Sequence, residues 1–316
     1  MSSAVATLTR SRGLVAAVVI TVLAAFVSVG MVGTYRYARG YWLYRGFAAP
    51  QEPSFVKQQG TVKDITVASP ALGGRAQQVY VYLPPGYSQT TTRYPVFYLL
   101  HGFPGVPRSW LTTVRMGVLM DALVAQRKVR PMILVMPSGS TGAFTDKEWA
   151  NGMSEDEGWE TFVARDVVGA IDATYRTIPK GSARALGGLS EGGYGALNIG
   201  LHHPGEFKVL ESWSGYERAD DLRPIFGGNA DLLAANSPSV ELPRVAVDLN
   251  RAHTYIWFYS GTEDKLKTQN AAFGRALSAQ GVAHRFLLFP GGHNWELWRA
   301  KADDGLIAAS DHLEHQ

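Results

Sequence analysis

The sequence predicts an α/β domain with a mostly parallel sheet and helices on both faces, preceded by one membrane-spanning helix. Short apolar runs and amphipathic helical stretches alternate from about residue 60 onward. Several of these runs are continuously apolar, as in strands that are buried on both faces. A long uncharged apolar run near the N-terminus predicts the spanning helix.

The strands and helices are predicted from hydrophobic periodicity and from the turn residues that close each run. The predicted strands are 61–69, 78–84, 95–100, 132–137, 184–188, 207–213, 254–260 and 285–289. The predicted helices are 116–126, 159–175, 192–201, 267–279 and 295–309. In a sheet of this kind ligands bind at the carboxyl ends of the strands, so the loops there should carry the chemistry.

Composition narrows the class of protein. The 316 residues are 46% hydrophobic and 18% charged, which suits one large domain with an appendage. Residues 1–60 hold six basic residues and one acid, and the remainder is slightly acidic, which argues against nucleic-acid binding. Cysteine is absent, which excludes disulfides, thiolate metal sites and a cysteine nucleophile. We expect no metal and no cofactor, because the acidic cluster 155–157 lacks the ligand spacing of a calcium loop.

The apolar run Leu14–Gly33 is long enough to span a bilayer, and the aromatic and basic stretch that follows it suits the headgroup layer. We therefore expect a single-pass anchor in the cell membrane with the large domain outside. Flanking arginines lie on both sides of the run, so charge does not decide the orientation. The alternatives are a cleaved signal peptide, which would make the protein secreted, and a buried core helix.

The predicted organisation has three parts. Residues 1–33 form a cytoplasmic stub and the anchor at 14–33, residues 34–59 form an interfacial segment and linker, and residues 60–316 form the catalytic domain. Prolines at positions 50 and 53 break any helix in the linker.

The segment Gly188–Gly192 matches the pattern G-x-S-x-G. It follows a predicted strand and opens a predicted helix, which is the context that a nucleophile elbow requires. The glycines let neighbouring backbone approach the serine without a Cβ clash. This context predicts that Ser190 is a nucleophile. The alternative is a glycine-rich turn with an incidental serine.

A nucleophilic serine needs a base, and His293 lies in a glycine-rich loop after the last predicted strand. The acid should lie between serine and histidine and follow a strand. Asp264 is the predicted acid and Glu263 the alternative, because both carboxylates follow the strand at 254–260.

Two backbone N–H groups should stabilise the oxyanion. One is predicted from Glu191, directly after the nucleophile, and the other from Phe103, in the loop after the strand 95–100. His101 is predicted to be a structural part of that loop. Trp110 and Trp149 are candidates for the substrate pocket, with packing beneath loops as the alternative role.

Taken together, these motifs resemble the esterase D-like ("Putative esterase") branch of the α/β-hydrolases, which includes S-formylglutathione hydrolases, feruloyl esterases and secreted mycolyltransferases. The motifs that carry the resemblance are YLLHGFPG, EWANG, WETFVARDVVGAIDATYRTI, GGLSEGGYGALNIGLHHPGEF, GTED and PGGHNWELW. By position, the resemblance implies Ser190 as nucleophile, Asp264 as acid and His293 as base. The residue after the nucleophile is often Met or Gln in this branch, and here Glu191 is expected to point away from the substrate.

The resemblance implies a serine carboxylesterase. Together with the predicted anchor, it leads us to expect a membrane-tethered enzyme that acts on a small-molecule, lipid or glycolipid ester. Acyl transfer by the same residues is the close alternative. A non-catalytic binding domain on the same fold is the alternative from another class.

Overall fold

The computed structural model describes residues 2–141 and 147–315, with side chains described from residue 17 onward. It divides into two compact units, Met1–Ala49 and Pro50–Gln316. Residues 14–16 of the predicted anchor therefore have only their backbone described. Residues 1 and 316, at the outer ends of the predicted segments, lie outside the described residues.

The first unit contains one helix, α1 (Ser2–Tyr44). Its portion Ala17–Tyr44 is long and apolar enough to cross a membrane. The helix continues past the predicted anchor into the aromatic and basic stretch, where the Arg45 guanidinium lies 4.5 Å from the centre of the Trp42 ring. Anchors and signal sequences share this length and composition, so the membrane role remains a proposal.

The second unit contains an eight-stranded sheet in the order β1-β2-β4-β3-β5-β6-β7-β8. Its strands are β1 (Thr61–Ala68), β2 (Ala76–Leu83), β3 (Val96–Leu100), β4 (Ile133–Pro137), β5 (Arg184–Leu189), β6 (Val209–Trp213), β7 (Tyr255–Gly261) and β8 (His284–Phe289). The two pairings of β2, with β1 and with β4, are antiparallel, and the other pairs are parallel. The prediction of a mostly parallel sheet is confirmed.

Helices cover both faces of this sheet. They are α2 (Ser109–Thr112), α3 (Met116–Ala125), α4 (Trp159–Thr161), a π-helical turn (Phe162–Val167), α5 (Val168–Thr174), α6 (Glu191–His202), α7 (Arg223–Phe226), α8 (Ala230–Ala235), α9 (Pro238–Arg251), α10 (Lys267–Ala279) and α11 (Trp295–His312). Because side chains alternate along a strand, Tyr98 belongs to the core on one face of the sheet, with residues of α5, α6, α9 and α10. Its neighbour Phe97 belongs to the core on the other face, with residues of α3 and α11. This arrangement is the predicted α/β-hydrolase fold.

The described helices α7, α8 and α9 lie between β6 and β7, where the periodicity predicted none. Pro243 lies inside α9, and a proline at such a position usually breaks a helix. Leu242 and Leu249 of α9 are fully buried in the core that includes α6, so tertiary packing offsets this weak local preference.

Candidate active site

Ser190 occupies a sharp turn between the end of β5 and the start of α6. Its backbone has φ 54° and ψ −120°, a conformation that costs a non-glycine residue on the order of 1–3 kcal/mol. The Ser190 N–H donates to the carbonyl of Trp213 on β6 at 2.9 Å, which helps hold the turn. This is the strand–turn–helix geometry predicted from the sequence.

The glycines on either side of Ser190 are required by close backbone contacts. A Cβ on Gly188 would lie 2.2 Å from the carbonyl oxygen of Gly192. A Cβ on Gly192 would lie 2.0 Å from the carbonyl oxygen of Leu100 at the end of β3. Since real Cβ atoms do not approach so closely, a larger residue at either position would displace Ser190.

His293 lies beside Ser190, in the loop between β8 and α11. Its Nε2 is 2.8 Å from the Ser190 hydroxyl oxygen. The imidazole packs edge-on against the Trp298 ring of α11, with 5.0 Å between the ring centres. A base within this distance can accept the serine proton directly.

Asp264 lies behind His293, at the end of β7. Its Oδ2 is 2.9 Å from His293 Nδ1, and its Oδ1 accepts the Leu266 N–H at 2.9 Å. The carboxylate is buried, which raises its pKa. The hydrogen bonds from His293 and Leu266 outweigh burial and hold the pKa of Asp264 below its usual range. The group therefore stays ionised at neutral pH.

Glu263, the alternative acid, makes no hydrogen bond or ion pair with His293 in the described structure. Its side chain is exposed, whereas Asp264 is buried. The Glu263 backbone N–H donates to the carbonyl of Gly291 at 2.9 Å and so joins the acid loop to the histidine loop. The structure thus brings Ser190, His293 and Asp264 together and leaves the Glu263 carboxylate outside.

The predicted oxyanion loop passes directly beside the nucleophile. A Cβ on Gly102 would lie 3.1 Å from the Cβ of Ser190. The next residue, Phe103, is joined to Pro104 by a cis peptide bond. Among the described residues the Phe103 N–H makes no hydrogen bond, and so it can serve a ligand. Glu191 begins α6, where the helix dipole favours negative charge.

His101 is buried in the same loop, and its ring makes no hydrogen bond with Ser190, His293 or Asp264. Its Nε2 accepts the N–H of Gly139 at 3.1 Å, which leaves Nδ1 as the protonated nitrogen, 3.1 Å from the Gly102 carbonyl. Burial lowers the pKa of His101 to about 4, so the ring is neutral at neutral pH. These contacts fit the predicted structural role.

Both candidate pocket tryptophans are completely buried. Trp110 packs edge-on against Trp213, with 5.2 Å between ring centres. Trp149 packs against His101, and its indole N–H donates to the His101 carbonyl at 2.9 Å. Neither presents a surface to a substrate in the described structure, so we assign both to packing beneath loops and not to the acyl pocket.

Two contacts near the site were not predicted. The Glu191 carboxylate is buried and accepts the backbone N–H of Glu148 at 3.1 Å. The Glu148 carboxylate in turn accepts a hydrogen bond from the Tyr216 hydroxyl. Burial and the nearby carboxylates raise the pKa of Tyr216, so the phenol stays protonated. The only sequence signal for these contacts is the motif EWANG, which contains Glu148.

No group of three or more His, Cys, Asp or Glu side chains that could hold a metal occurs within residues 2–141 and 147–315. Glu157 of the acidic cluster pairs with Lys147 at 2.8 Å and with Arg75 at 3.4 Å. Its carboxylate also accepts the indole N–H of Trp159 at 2.8 Å. The Glu157 carboxylate is therefore bound by two basic side chains and an indole N–H of the protein itself.

The fold is that of an α/β-hydrolase, and Ser190, His293 and Asp264 are joined by hydrogen bonds at the carboxyl ends of its strands. The family model described as "Putative esterase" matches residues 69–309, and the chain belongs to this family.

Individual relatives agree with this assignment. An esterase of Mycobacterium tuberculosis is 29% identical over 265 residues, which cover 73% of this chain and 55% of that protein. The diacylglycerol acyltransferase/mycolyltransferase Ag85C of Mycobacterium leprae is 24% identical over 206 residues, covering 52% of this chain and 60% of that protein. A solved ferulic acid esterase superposes with a TM-score of 0.71 at 26% identity, covering 81% of this chain and all of that one. The chain thus spans little more than half the length of the two curated relatives.

Proposed function

We propose that this chain is a serine carboxylesterase that hydrolyses an envelope-associated acyl ester through Ser190, His293 and Asp264. The observation that carries the proposal is the continuous hydrogen-bond chain between these side chains. It measures 2.8 Å from Ser190 to His293 and 2.9 Å from His293 to Asp264. A serine, a histidine and a buried carboxylate in this order activate the serine hydroxyl for acyl transfer.

In the proposed reaction the Ser190 oxygen attacks the ester carbonyl carbon while His293 takes the hydroxyl proton. Asp264 orients the imidazole and stabilises the imidazolium without taking the proton. The tetrahedral intermediate expels the alcohol, which receives the proton from His293, and an acyl-serine remains. Water then attacks the acyl-serine with His293 again as base, which releases the acid and restores Ser190.

The oxyanion of each tetrahedral intermediate is stabilised, in this proposal, by the N–H groups of Phe103 and Glu191. Both are backbone groups that need little reorganisation during the reaction. The N-terminus of α6 adds a favourable dipole. Loss of one such donor typically costs about 2.7–4 kcal/mol of barrier.

Labelling with a fluorophosphonate probe tests the proposal directly. The wild-type chain should be labelled stoichiometrically and lose esterase activity, whereas Ser190→Ala should show neither labelling nor turnover. Ser182→Ala is a matched control, because Ser182 lies at the other end of β5 and bonds Glu314. An unlabelled wild type, or a labelled Ser190→Ala variant, would refute the proposal.

Acyl transfer to an alcohol is the second candidate, favoured by the similarity to the Mycobacterium leprae mycolyltransferase. It uses the same acyl-serine, with a sugar or lipid hydroxyl in place of water. Product analysis after adding an acceptor alcohol separates the two. Ester product at acceptor concentrations far below that of water supports transfer, and free acid alone supports hydrolysis.

The proposed location rests on α1, which is long and apolar enough to anchor the chain in the cell membrane. With the catalytic domain outside, accessible substrates would include lipid and glycolipid esters of the envelope. Activity against acyl esters of increasing chain length tests this inference. A strict preference for short water-soluble esters would count against it.

A further inference from the structure

The Glu191 side chain leads away from the nucleophile into a buried turn at Glu148 and Trp149. Both residues of this turn have positive φ, 53° and 51°. Residues other than glycine rarely adopt positive φ, so contacts with the surrounding structure must hold the turn in place. Glu191 supplies one such contact, because its Oε1 accepts the Glu148 N–H at 3.1 Å.

A second contact holds the same turn from the side of Glu148. Its carboxylate accepts a hydrogen bond from the Tyr216 hydroxyl, and the Tyr216 ring stacks on Tyr194 of α6 at 4.7 Å. Backbone and side chain of Glu148 are thus both bound to groups on or beside the helix that follows Ser190. These two contacts therefore fix the position of the turn relative to Ser190 and the start of α6.

The turn in turn places the Trp149 indole against the oxyanion loop. Its N–H donates to the His101 carbonyl at 2.9 Å, two residues before Phe103. The fit around the indole is close, because a Cβ on Gly195 of α6 would lie 2.6 Å from Trp149 and one on Gly139 would lie 2.5 Å from its ring. The indole therefore has little freedom to move, and the His101 carbonyl is held with it.

We propose that the Glu191 side chain is a positioning residue that sets the separation of the two oxyanion donors through Glu148, Trp149 and His101. The backbone N–H of Glu191 is one donor. The Glu191 carboxylate fixes the turn at Glu148 and Trp149, and this turn holds the loop that carries the other donor, the N–H of Phe103. This inference rests on the proposed function, because the donors matter only if an oxyanion forms beside Ser190.

The test replaces the carboxylate without changing the size of the side chain. Glu191→Met should lower kcat about 10- to 100-fold, part of the 10²- to 10³-fold effect of losing one oxyanion donor, and leave KM nearly unchanged. Glu191→Gln should recover most of this loss, because its carbonyl oxygen can still accept the Glu148 N–H. Inhibition by a trifluoromethyl ketone, which forms a tetrahedral adduct on serine, should weaken by the same factor as kcat/KM.

Trp149→Phe tests the other end of the connection by removing the indole N–H. We expect a similar selective loss of kcat, and the double variant with Glu191→Met should lose less than the product of the single losses. Trp159→Phe is the matched control, because Trp159 is equally buried but its indole N–H donates to Glu157. That control should keep the wild-type kcat.

Several outcomes would overturn the inference. One is a folded Glu191→Met variant with wild-type kcat. Another is a double variant whose loss of kcat equals the product of the two single losses. A third is a Glu191→Gln variant with a kcat as low as that of Glu191→Met. If thermal unfolding shows that Glu191→Met is not folded, the test rests on Trp149→Phe alone. A wild-type kcat in Trp149→Phe would then overturn the inference. A wild-type enzyme with neither ester turnover nor fluorophosphonate labelling would instead refute the proposed function itself.

Discussion

Asp264 determines how the His293 ring is oriented toward Ser190. An asparagine at this position can present an N–H to His293 Nδ1 and so favour the tautomer that cannot accept the serine proton. In serine proteases with this kind of triad the change lowers kcat by about 10⁴-fold. We expect a loss of comparable size for Asp264→Asn, measured as kcat on a soluble ester.

Glu263→Gln is the control for that measurement, because its side chain is exposed and adjacent in sequence. It should keep kcat within about twofold, since it leaves no buried group unpaired. A severe loss in Glu263→Gln together with a mild one in Asp264→Asn would mean that the acid has been misassigned.

At the scale of elements, Glu160 joins α4 to the end of α6. The buried Glu160 carboxylate lies 2.8 Å from His202 and 3.0 Å from His203. Burial lowers the pKa of His202, but the hydrogen bond and charge of Glu160 outweigh it and raise the pKa to about 8 from an ordinary 6.5. The ion pair therefore stabilises the folded state fully below pH 6.5, and this contribution is lost as the pH rises through 8.

Glu160→Gln should remove this contribution. We expect the variant to lose about 2 kcal/mol of unfolding free energy near pH 6 and less near pH 9, so the two stability curves should converge with rising pH. Urea unfolding at several pH values measures this. A deficit that stayed constant from pH 6 to 9 would show that the charge on His202 contributes nothing.

The segment that precedes β1 carries a second titratable contact. Glu52 lies against Asp121 of α3, which already accepts hydrogen bonds from the Tyr82 hydroxyl at 2.6 Å and the Gly60 N–H at 2.8 Å. Burial, followed by the charge of Asp121 and a hydrogen bond with it, raises the pKa of Glu52 to about 7 from an ordinary 4.5. Between pH 4.5 and 7 the folded protein keeps the Glu52 proton, whereas the unfolded protein has released it. The free energy of unfolding therefore falls as the pH rises from 4.5 to 7.

Glu52→Gln mimics the protonated carboxyl and should abolish this fall. Relative to the wild type, the variant should gain stability as the pH rises from 5 to 8. Cleavage of the segment by a nonspecific protease should show the same trend, with the wild type protected at pH 5 and cut faster at pH 8. Equal pH dependence in both proteins would contradict the assignment.

At the scale of the whole molecule, the described parts of residues 50–316 contain the sheet, both core layers and the candidate site. We therefore expect a chain that begins at Pro50 to fold and to hydrolyse a soluble ester with the kcat of the full chain. It should remain in the soluble fraction after cell lysis, whereas the full chain should sediment with membranes. A folded but inactive fragment would show that the N-terminal unit takes part in catalysis.

Much of the architecture is predictable because its signals are local. The continuously apolar runs that become β3 and β4, and the glycines around Ser190, report constraints that act within a few residues. The helices between β6 and β7 escape prediction, since α9 contains Pro243 and is held by long-range packing. For a similar reason the sequence could not choose between a pocket role and packing for Trp149, because its burial depends on segments far apart in the chain.

The sequence by itself determined the order of the proposed reacting groups, with Phe103 before Ser190, Glu191 beside it and Asp264 and His293 after it. Strand ends and tight turns impose that order locally. Only the tertiary structure decided between Asp264 and Glu263, which are adjacent and chemically alike, because one is turned inward to His293 and the other outward. It alone also joined Glu191 to the oxyanion loop, since hydrogen bonds between distant segments depend on how the sheet and helices pack.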